Sequence, residues 1–159
     1  MVKIIPLQEV KSILITLKQH KKKIVVVGGC FDILHIGHIQ FLKEAKKCGD
    51  SLILLLESDE NVRKLKGKNR PIFTQRERAE VLSAISSVDL VILLPLMRSD
   101  VDYHHVITTI SPHIIAVTEH DPLMKEKEKQ AKQVGGKIAV IPFVETFSSS
   151  RLAKLLGID

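Results

Sequence analysis

Short apolar runs, rich in β-branched residues, alternate with amphipathic stretches along the chain. Each run is nearly continuously apolar, as expected when helices cover both faces of a parallel sheet. The strands predicted in this way are Ile24–Val27, Ser51–Leu56, Leu90–Leu94, His113–Val117 and Lys137–Ile141. Alternation of strand and helix predicts an α/β fold with a doubly wound, five-stranded parallel sheet of the Rossmann-like type.

The length of 159 residues fits one domain, since domains commonly run from about 100 to 200 residues. We expect an N-terminal helix within residues 1–22, a core over 23–147 and a C-terminal helix over 148–159. No apolar run approaches the roughly 18 residues that span a bilayer, and no signal-peptide pattern opens the chain. We therefore expect a cytoplasmic protein without a membrane partner.

The formal net charge of +6 favours an anionic partner, either nucleic acid or a small phosphorylated molecule. Aromatic residues make up only 4% of the chain, so the stacking surfaces of single-strand binders are poorly supplied. Cys30 and Cys48 are expected to be free thiols, because nothing in the sequence indicates a secreted disulfide framework.

Ligands of doubly wound sheets bind at the carboxyl ends of the strands, where the strand order reverses. The loop after the first predicted strand carries Gly28 and Gly29, which allow an anion to approach the backbone. His35 and His38 follow, three residues apart on one face of a predicted helix start, with Gly37 between them. Two imidazoles beside helix amides can donate hydrogen bonds to triphosphate oxygens.

Other phosphate and metal motifs fit this loop poorly. It contains neither the P-loop pattern nor the glycine pattern of dinucleotide-binding proteins. His35 and His38 could begin a zinc site, but no close Cys or Glu completes one. The loop therefore predicts a triphosphate site without a protein-bound metal.

The segment Gly29–His38, with the sequence GCFDILHIGH, resembles the HxGH motif of the cytidylyltransferase-like nucleotidyltransferases. The resemblance is greatest to the heptose 1-phosphate adenylyltransferases of bacterial ADP-heptose synthase and to the glycerol-3-phosphate cytidylyltransferases. Further matching segments lie at 7–20, 58–59, 63–67, 70–71, 77–78, 88–89 and 147–152.

The resemblance implies transfer of a nucleoside monophosphate from ATP or CTP to a small phosphorylated acceptor, with release of pyrophosphate. The acceptor would be a sugar 1-phosphate or polyol phosphate, such as heptose 1-phosphate or glycerol 3-phosphate. It also implies Mg²⁺ bound mainly through the triphosphate, a homodimer and no nucleic-acid partner. Two alternatives stay open: an adenylyltransferase for flavin mononucleotide or phosphopantetheine, and a non-catalytic nucleotide-binding regulatory module.

The resemblance also implies roles for individual residues. The catalytic residues would be His35, His38, Lys66 and Arg78. The acceptor would be bound by Asp32, Lys64, Lys66 and Arg78. The nucleotide would be bound by Gly29, Cys30, Phe31, Asp32, Gly37, Glu119, Ser148, Ser149 and Ser150.

Physical arguments accompany several of these roles. Lys64 and Lys66 alternate, so they would point the same way if their loop were extended. Arg78 lies in the first turn of a helix, where a cation opposes the helix dipole, and this misfit suggests a nearby anion. The serines at 148–150 are good N-caps, and such a helix start also binds anions.

Cys30 receives no catalytic role, and one segment departs from the family pattern. Cys30 has no reason to act as a nucleophile in this chemistry, and we place it in packing near the phosphates. After the fourth predicted strand the family usually has a Gly-Asp pair, whereas this chain has Thr118, Glu119 and His120. This difference leaves the choice of base and acceptor open.

Overall fold

A computed structural model describes residues 3–143 and 149–157. The strands are β1 (Ile4–Pro6), β2 (Ile24–Gly29), β3 (Ser51–Leu56), β4 (Leu90–Leu93), β5 (Ile114–Thr118) and β6 (Lys137–Ile141). The helices are α1 (Val10–Gln19), α2 (Ile36–Lys47), α3 (Asp59–Lys66), α4 (Gln75–Ser83), α5 (Asp100–Ile110), α6 (Met124–Gln133) and α7 (Ser149–Leu155). A 3-10 helix, Leu7–Glu9, precedes α1.

The six strands form one parallel sheet in the order β1-β4-β3-β2-β5-β6. The predicted doubly wound α/β fold is confirmed, but the predicted number of five strands is wrong. The additional strand is β1, in which Ile4 to Pro6 pair with Val91 to Leu93 at the sheet edge. Three residues ending in proline show no strand periodicity, and an edge is where a sheet tolerates proline.

Helices cover both faces of the sheet. Residues of α1, α5 and α6 pack on one face, over side chains such as Val26 and Ile53. Residues of α2 and α4 pack on the other face, over Val25, Val27 and Leu54. Neighbouring residues of one strand thus enter different cores, which explains the continuously apolar runs in the sequence.

Local signals place the helix ends. Thr74 and Glu77 form a capping box at the start of α4: Glu77 N–H donates to Thr74 Oγ1 (3.3 Å), and Thr74 N–H donates to Glu77 Oε2 (2.8 Å). Beyond the end of α6, Gly135 has a φ of 71°, a left-handed conformation that favours glycine. Within the described ranges, none of the helices combines the length and apolar character needed to span a membrane.

The order of the strands creates a crevice beside β2. From β2 the chain passes outward to β3 and β4 on one side, and then returns to β5 and β6 on the other. Loops leaving the adjacent strands β2 and β5 therefore diverge above the carboxyl edge of the sheet. In open α/β sheets this reversal point is where ligands bind.

Candidate active site

A cavity of about 310 Å³ lies in this crevice, above the carboxyl ends of β2 and β5. The residues of the predicted site that line it are Gly29, Cys30, Phe31, His35, Gly37, His38, Lys66 and Ser150. Asp32, Lys64, Arg78 and Glu119, also described by the structure, lie outside its lining. The fold thus brings together the predicted residues from the first loop, the end of α3 and the start of α7.

His35 and His38 lie side by side at the start of α2. Their ring centroids are 3.8 Å apart, with a 33° angle between the ring planes. His35 is the N-cap residue, and its carbonyl accepts a hydrogen bond from His38 N–H at 3.0 Å. Nδ1 of each ring is buried and has no hydrogen-bond partner in the part of the chain that the structure describes. Buried polar atoms are normally satisfied, so two unpaired ring nitrogens side by side mark the pair as a candidate functional site.

Both imidazoles are held neutral. Burial lowers the pKa of His38 to about 4, and the nearby His35 and Lys66 act in the same direction. Burial and the charge of Lys66 also lower the pKa of His35. A neutral imidazole has one N–H donor and one acceptor. The pair can therefore donate to phosphate oxygens, and a bound polyanion would counteract the effect of Lys66 on both rings.

Phe31 packs against the histidine pair through the ring of His38. Its ring is buried and lies 5.2 Å, centroid to centroid, from that of His38. Its φ of 45° lies in the left-handed region, which is rare for a bulky residue and is typical of functional sites. A Cβ on Gly29 would lie 2.7 Å from Phe31 Cε2. The absence of a side chain at Gly29 thus leaves room for the Phe31 ring, in addition to allowing an anion to approach the backbone.

Lys66 reaches the cavity from the end of α3. Its Nζ lies 3.4 Å from Ser150 Oγ, which joins the end of α3 to the start of α7. Of the other predicted serines, Ser148 and the side chain of Ser149 lie outside the described residues. A lysine in the last turn of a helix is favoured by the helix dipole, and here the same charge faces the histidine pair.

The prediction that Lys64 and Lys66 share one side of an extended loop is wrong, because both belong to α3. Residues two apart on a helix are separated by about 200° around its axis. Lys64 is accordingly exposed. The helix begins at a cap that the sequence contains: Ser58 Oγ accepts a hydrogen bond from Asn61 N–H at 3.2 Å.

Asp32 is buried beneath the site. Its Oδ2 accepts a hydrogen bond from Arg70 Nε (2.5 Å), and its Oδ1 accepts from the backbone N–H groups of Ile72 (2.8 Å) and Phe73 (3.3 Å). These contacts fix the segment before α4 to the loop after β2. Contact of Asp32 with the acceptor or the nucleotide stays a prediction.

Arg78 is buried and bonded to the protein itself. Its guanidinium donates to the carbonyls of Cys30 (2.5 Å), Glu57 (2.9 Å) and Phe73 (3.0 Å), and to Asp59 Oδ1 (2.7 Å). These acceptors offset the unfavourable position of a cation at a helix N-terminus, where the sequence suggests a nearby anion. Its predicted role toward phosphate stays a prediction.

Glu57 belongs to a buried polar cluster that the sequence analysis missed. Its carboxylate accepts hydrogen bonds from Tyr103 Oη (2.9 and 3.0 Å) and from Asn61 Nδ2 (2.9 Å). Burial, followed by the charge of Glu57, raises the pKa of the Tyr103 phenol. Glu57 directly follows β3, and its backbone carbonyl accepts a hydrogen bond from Arg78, so the cluster lies next to the Arg78 contacts. The sequence feature that could have revealed the cluster is the charged residue Glu57 directly after a predicted strand.

Beyond the carboxyl end of β5, the cavity is lined by residues that sequence reasoning did not select. Asp121 and Lys127 both line it and form an ion pair with Nζ 2.6 Å from Oδ2. They are six positions apart in the sequence, which is not a spacing at which helical neighbours meet, so the sequence did not indicate the pair. Glu119 Oε2 accepts a hydrogen bond from Phe143 N–H at 2.9 Å, which ties the loop after β5 to the chain after β6.

Together the reversal of strand order and the buried imidazole pair define a class, the α/β nucleotidyltransferases with an HxGH motif. The chain belongs to the cytidylyltransferase-like family, whose model matches residues 26–154. The family resemblance predicted from the sequence is thereby confirmed.

Curated relatives support this assignment. The chain is 37% identical over 151 residues to "Bifunctional protein HldE" of Desulfatibacillum aliphaticivorans, covering 94% of this chain and 30% of the relative. It is 41% identical over 138 residues to the protein of the same name from Wolinella succinogenes, covering 84% of this chain and 27% of the relative. The chain thus spans under a third of the length of these relatives.

Solved structures show the same fold. A lipopolysaccharide core biosynthesis protein from Thermoplasma volcanium is 28% identical, with a TM-score of 0.64, covering 79% of this chain and 98% of that one. Pantoate-beta-alanine ligase from Francisella tularensis is 17% identical, with a TM-score of 0.72, covering 97% of this chain and 73% of that one. The second likeness concerns the fold alone.

Proposed function

We propose that this chain transfers a nucleoside monophosphate from ATP or CTP to a small phosphorylated acceptor and releases pyrophosphate. The observation that carries the proposal is the pair of neutral imidazoles, His35 and His38, packed at 3.8 Å in one cavity with Lys66. A triphosphate needs several donors and a cation close together, and the start of α2 and the end of α3 bring them to one cavity.

In the proposed reaction an oxygen of the acceptor's phosphate attacks the α-phosphorus of the triphosphate in line. A new P–O bond forms there, the bond from the α-phosphorus to the bridging oxygen breaks, and pyrophosphate leaves with that electron pair. No protein group forms a covalent bond. Catalysis then consists of positioning and charge stabilisation, as is general for phosphoryl transfer.

The residues of the cavity have different roles in the proposed reaction. His35 and His38 donate hydrogen bonds to phosphate oxygens as negative charge grows on the departing pyrophosphate. Lys66 lines the same cavity and supplies the positive charge, with its Nζ near Ser150 Oγ. Removal of one such transition-state donor typically reduces turnover by about 100- to 1,000-fold.

We propose that Mg²⁺ binds together with the triphosphate. No group of three or more His, Cys, Asp or Glu side chains that could hold a metal is found among residues 3–143 and 149–157. The only acidic side chain lining the cavity in these ranges, Asp121, is paired with Lys127. A magnesium ion bound by phosphate oxygens and water would neutralise their charge without a dedicated protein site.

The acceptor is proposed to be a sugar 1-phosphate, with heptose 1-phosphate and ATP as the leading pair. The HldE relatives at 37% and 41% identity support this choice. The Thermoplasma volcanium protein, described as a lipopolysaccharide core biosynthesis protein, also points to sugar chemistry. Glycerol 3-phosphate with CTP is the second pair to test.

Assembly and location complete the proposal. We propose a homodimer in the cytoplasm, where nucleoside triphosphates are available. Ile15 on α1 is 59% exposed, and apolar residues exposed in this way are available for a subunit contact. Light scattering on the purified chain tests the assembly: a mass of two chains supports the dimer, and a mass of one chain contradicts it.

The direct test of the activity is a pyrophosphate-release assay. Each of the four nucleoside triphosphates is combined with heptose 1-phosphate, glycerol 3-phosphate, flavin mononucleotide and phosphopantetheine. Release with ATP and heptose 1-phosphate supports the leading pair. Release with flavin mononucleotide or phosphopantetheine alone contradicts the sugar acceptor. Tight nucleotide binding without release for any acceptor contradicts the enzyme and indicates a regulatory module.

A further inference from the structure

The two ends of the cavity differ in charge. Lys66 stands beside the two neutral histidines at one end. At the other end, beyond the carboxyl end of β5, Asp121 and Lys127 line the wall as an ion pair. The first end is therefore cationic and the second has no net charge.

The Asp121–Lys127 pair is built into the wall of the cavity. The side chains of Lys127 and Asp121 are only 24% and 13% exposed. Asp121 Oδ1 also accepts a hydrogen bond from Leu123 N–H at 2.8 Å, so the backbone at the start of α6 fixes the carboxylate. The carboxylate in turn holds the Lys127 ammonium in place, unlike a solvated surface lysine.

The ammonium retains hydrogen-bonding capacity. A lysine has three N–H donors, and Asp121 is the only hydrogen-bond partner of Lys127 Nζ within the described ranges. Phe143 and Pro142 line the same end of the cavity. An aromatic ring beside an apolar wall fits the flat face of a nucleobase, and a fixed ammonium fits an acceptor on its edge.

We infer that Lys127, positioned by Asp121, is the residue that recognises the base of the bound nucleotide. The inference rests on the proposed nucleotide binding, because the triphosphate must occupy the cationic end for the nucleoside to reach the neutral one. The Lys127 ammonium then donates to a hydrogen-bond acceptor of the base. The sequence offers no such assignment, since Lys127 is one of several alternating charges along α6.

Binding of three probes tests the inference: ATP, CTP and inorganic tripolyphosphate, measured by calorimetry. Lys127→Met should weaken the nucleotide that the wild-type protein binds more tightly by about tenfold or more. Tripolyphosphate has no base, so its dissociation constant should change less than about twofold. The matched control is Lys129→Met, which removes an exposed lysine from the same helix and should leave all three affinities unchanged.

A double variant tests whether any loss of affinity comes from a folding defect caused by the unpaired Asp121 carboxylate. Lys127→Met leaves Asp121 without its partner, whereas Asp121→Asn with Lys127→Met removes both charges. The double variant should show the same contrast between nucleotide and tripolyphosphate.

Three results would overturn the inference. Equal weakening of nucleotide and tripolyphosphate would place Lys127 on the phosphates. Unchanged affinities in both variants would make the pair purely structural. Wild-type protein that binds tripolyphosphate but neither nucleotide would leave no base to recognise. Failure of the proposed function would be distinguishable from these results: nucleotides would bind, but no acceptor would give pyrophosphate release.

Discussion

Asp32 and Arg70 form an ion pair in which both side chains are almost completely withdrawn from water, with Arg70 Nε 2.5 Å from Asp32 Oδ2. The pair joins the loop that carries the HxGH motif to the segment leading into α4. A carboxylate that the family resemblance places near the substrate thus also fastens two site loops together. This arrangement links the stability of the fold to the position of the histidines.

Asp32→Asn is therefore expected to destabilise the protein. It removes the carboxylate charge from the buried ion pair with Arg70, a change that typically costs about 3 to 5 kcal/mol. Urea unfolding measures the loss. The control is Glu44→Gln, which removes an exposed ion pair with Lys47 and should cost less than about 1 kcal/mol. Equal unfolding midpoints for Asp32→Asn and the wild-type protein would contradict the structural role.

Arg78→Met is expected to destabilise the protein by several kcal/mol, on the order of 3 to 5. The change leaves Asp59 and three backbone carbonyls without the donor that the structure provides. Arg76→Met is the matched control, because Arg76 lies in the same helical turn but is exposed. Its unfolding free energy should stay within about 0.5 kcal/mol of wild type. Similar losses in both variants would show that burial of Arg78 is not the cause.

His38→Ala is expected to reduce turnover by about 100-fold or more, because one transition-state donor is lost. The pyrophosphate-release assay measures this change at saturating substrate. His105→Ala removes an exposed imidazole on α5 and serves as the control, with turnover near that of wild type. Near-normal turnover of His38→Ala would mean that the histidine pair does not perform the chemistry.

The stability of the ligand-free protein is expected to fall as the pH decreases from about 6.5 to about 4. The pKa of His38 is about 4 in the folded protein, against an ordinary value of 6.5, and the pKa of His35 is lowered as well. Over this window the unfolded chain binds protons that the folded chain excludes, so acid favours unfolding. His38→Gln should make unfolding free energy less dependent on pH there. Identical pH slopes in variant and wild type would contradict the buried position of the ring.

Much of the sheet was predictable because burial on both faces leaves a strong pattern. The runs that became β2 to β6 are nearly continuously apolar, and the Thr74–Glu77 capping box is contained in four consecutive residues. β1 was not predictable, since its three residues obtain their conformation from pairing with β4. Likewise, the helical state of Lys64 depended on a cap at Ser58 that was overlooked.

The candidate site was predictable where neighbours in sequence are neighbours in space. His35 and His38 share one helical turn, so their spacing indicated a shared face. Partners far apart in the chain gave no such signal. Arg70 is 38 residues from Asp32, and Arg78 is 48 residues from the Cys30 carbonyl that it contacts. Their burial follows from tertiary packing, which no local pattern encodes.

The most direct measurement is a crystal structure with a non-hydrolysable nucleoside triphosphate. We expect phosphate oxygens within hydrogen-bond distance of the His35 and His38 rings, with Lys66 on the same phosphates and the base at the Asp121–Lys127 end. Phosphates bound elsewhere, or histidine rings without contact to the nucleotide, would contradict the proposed site.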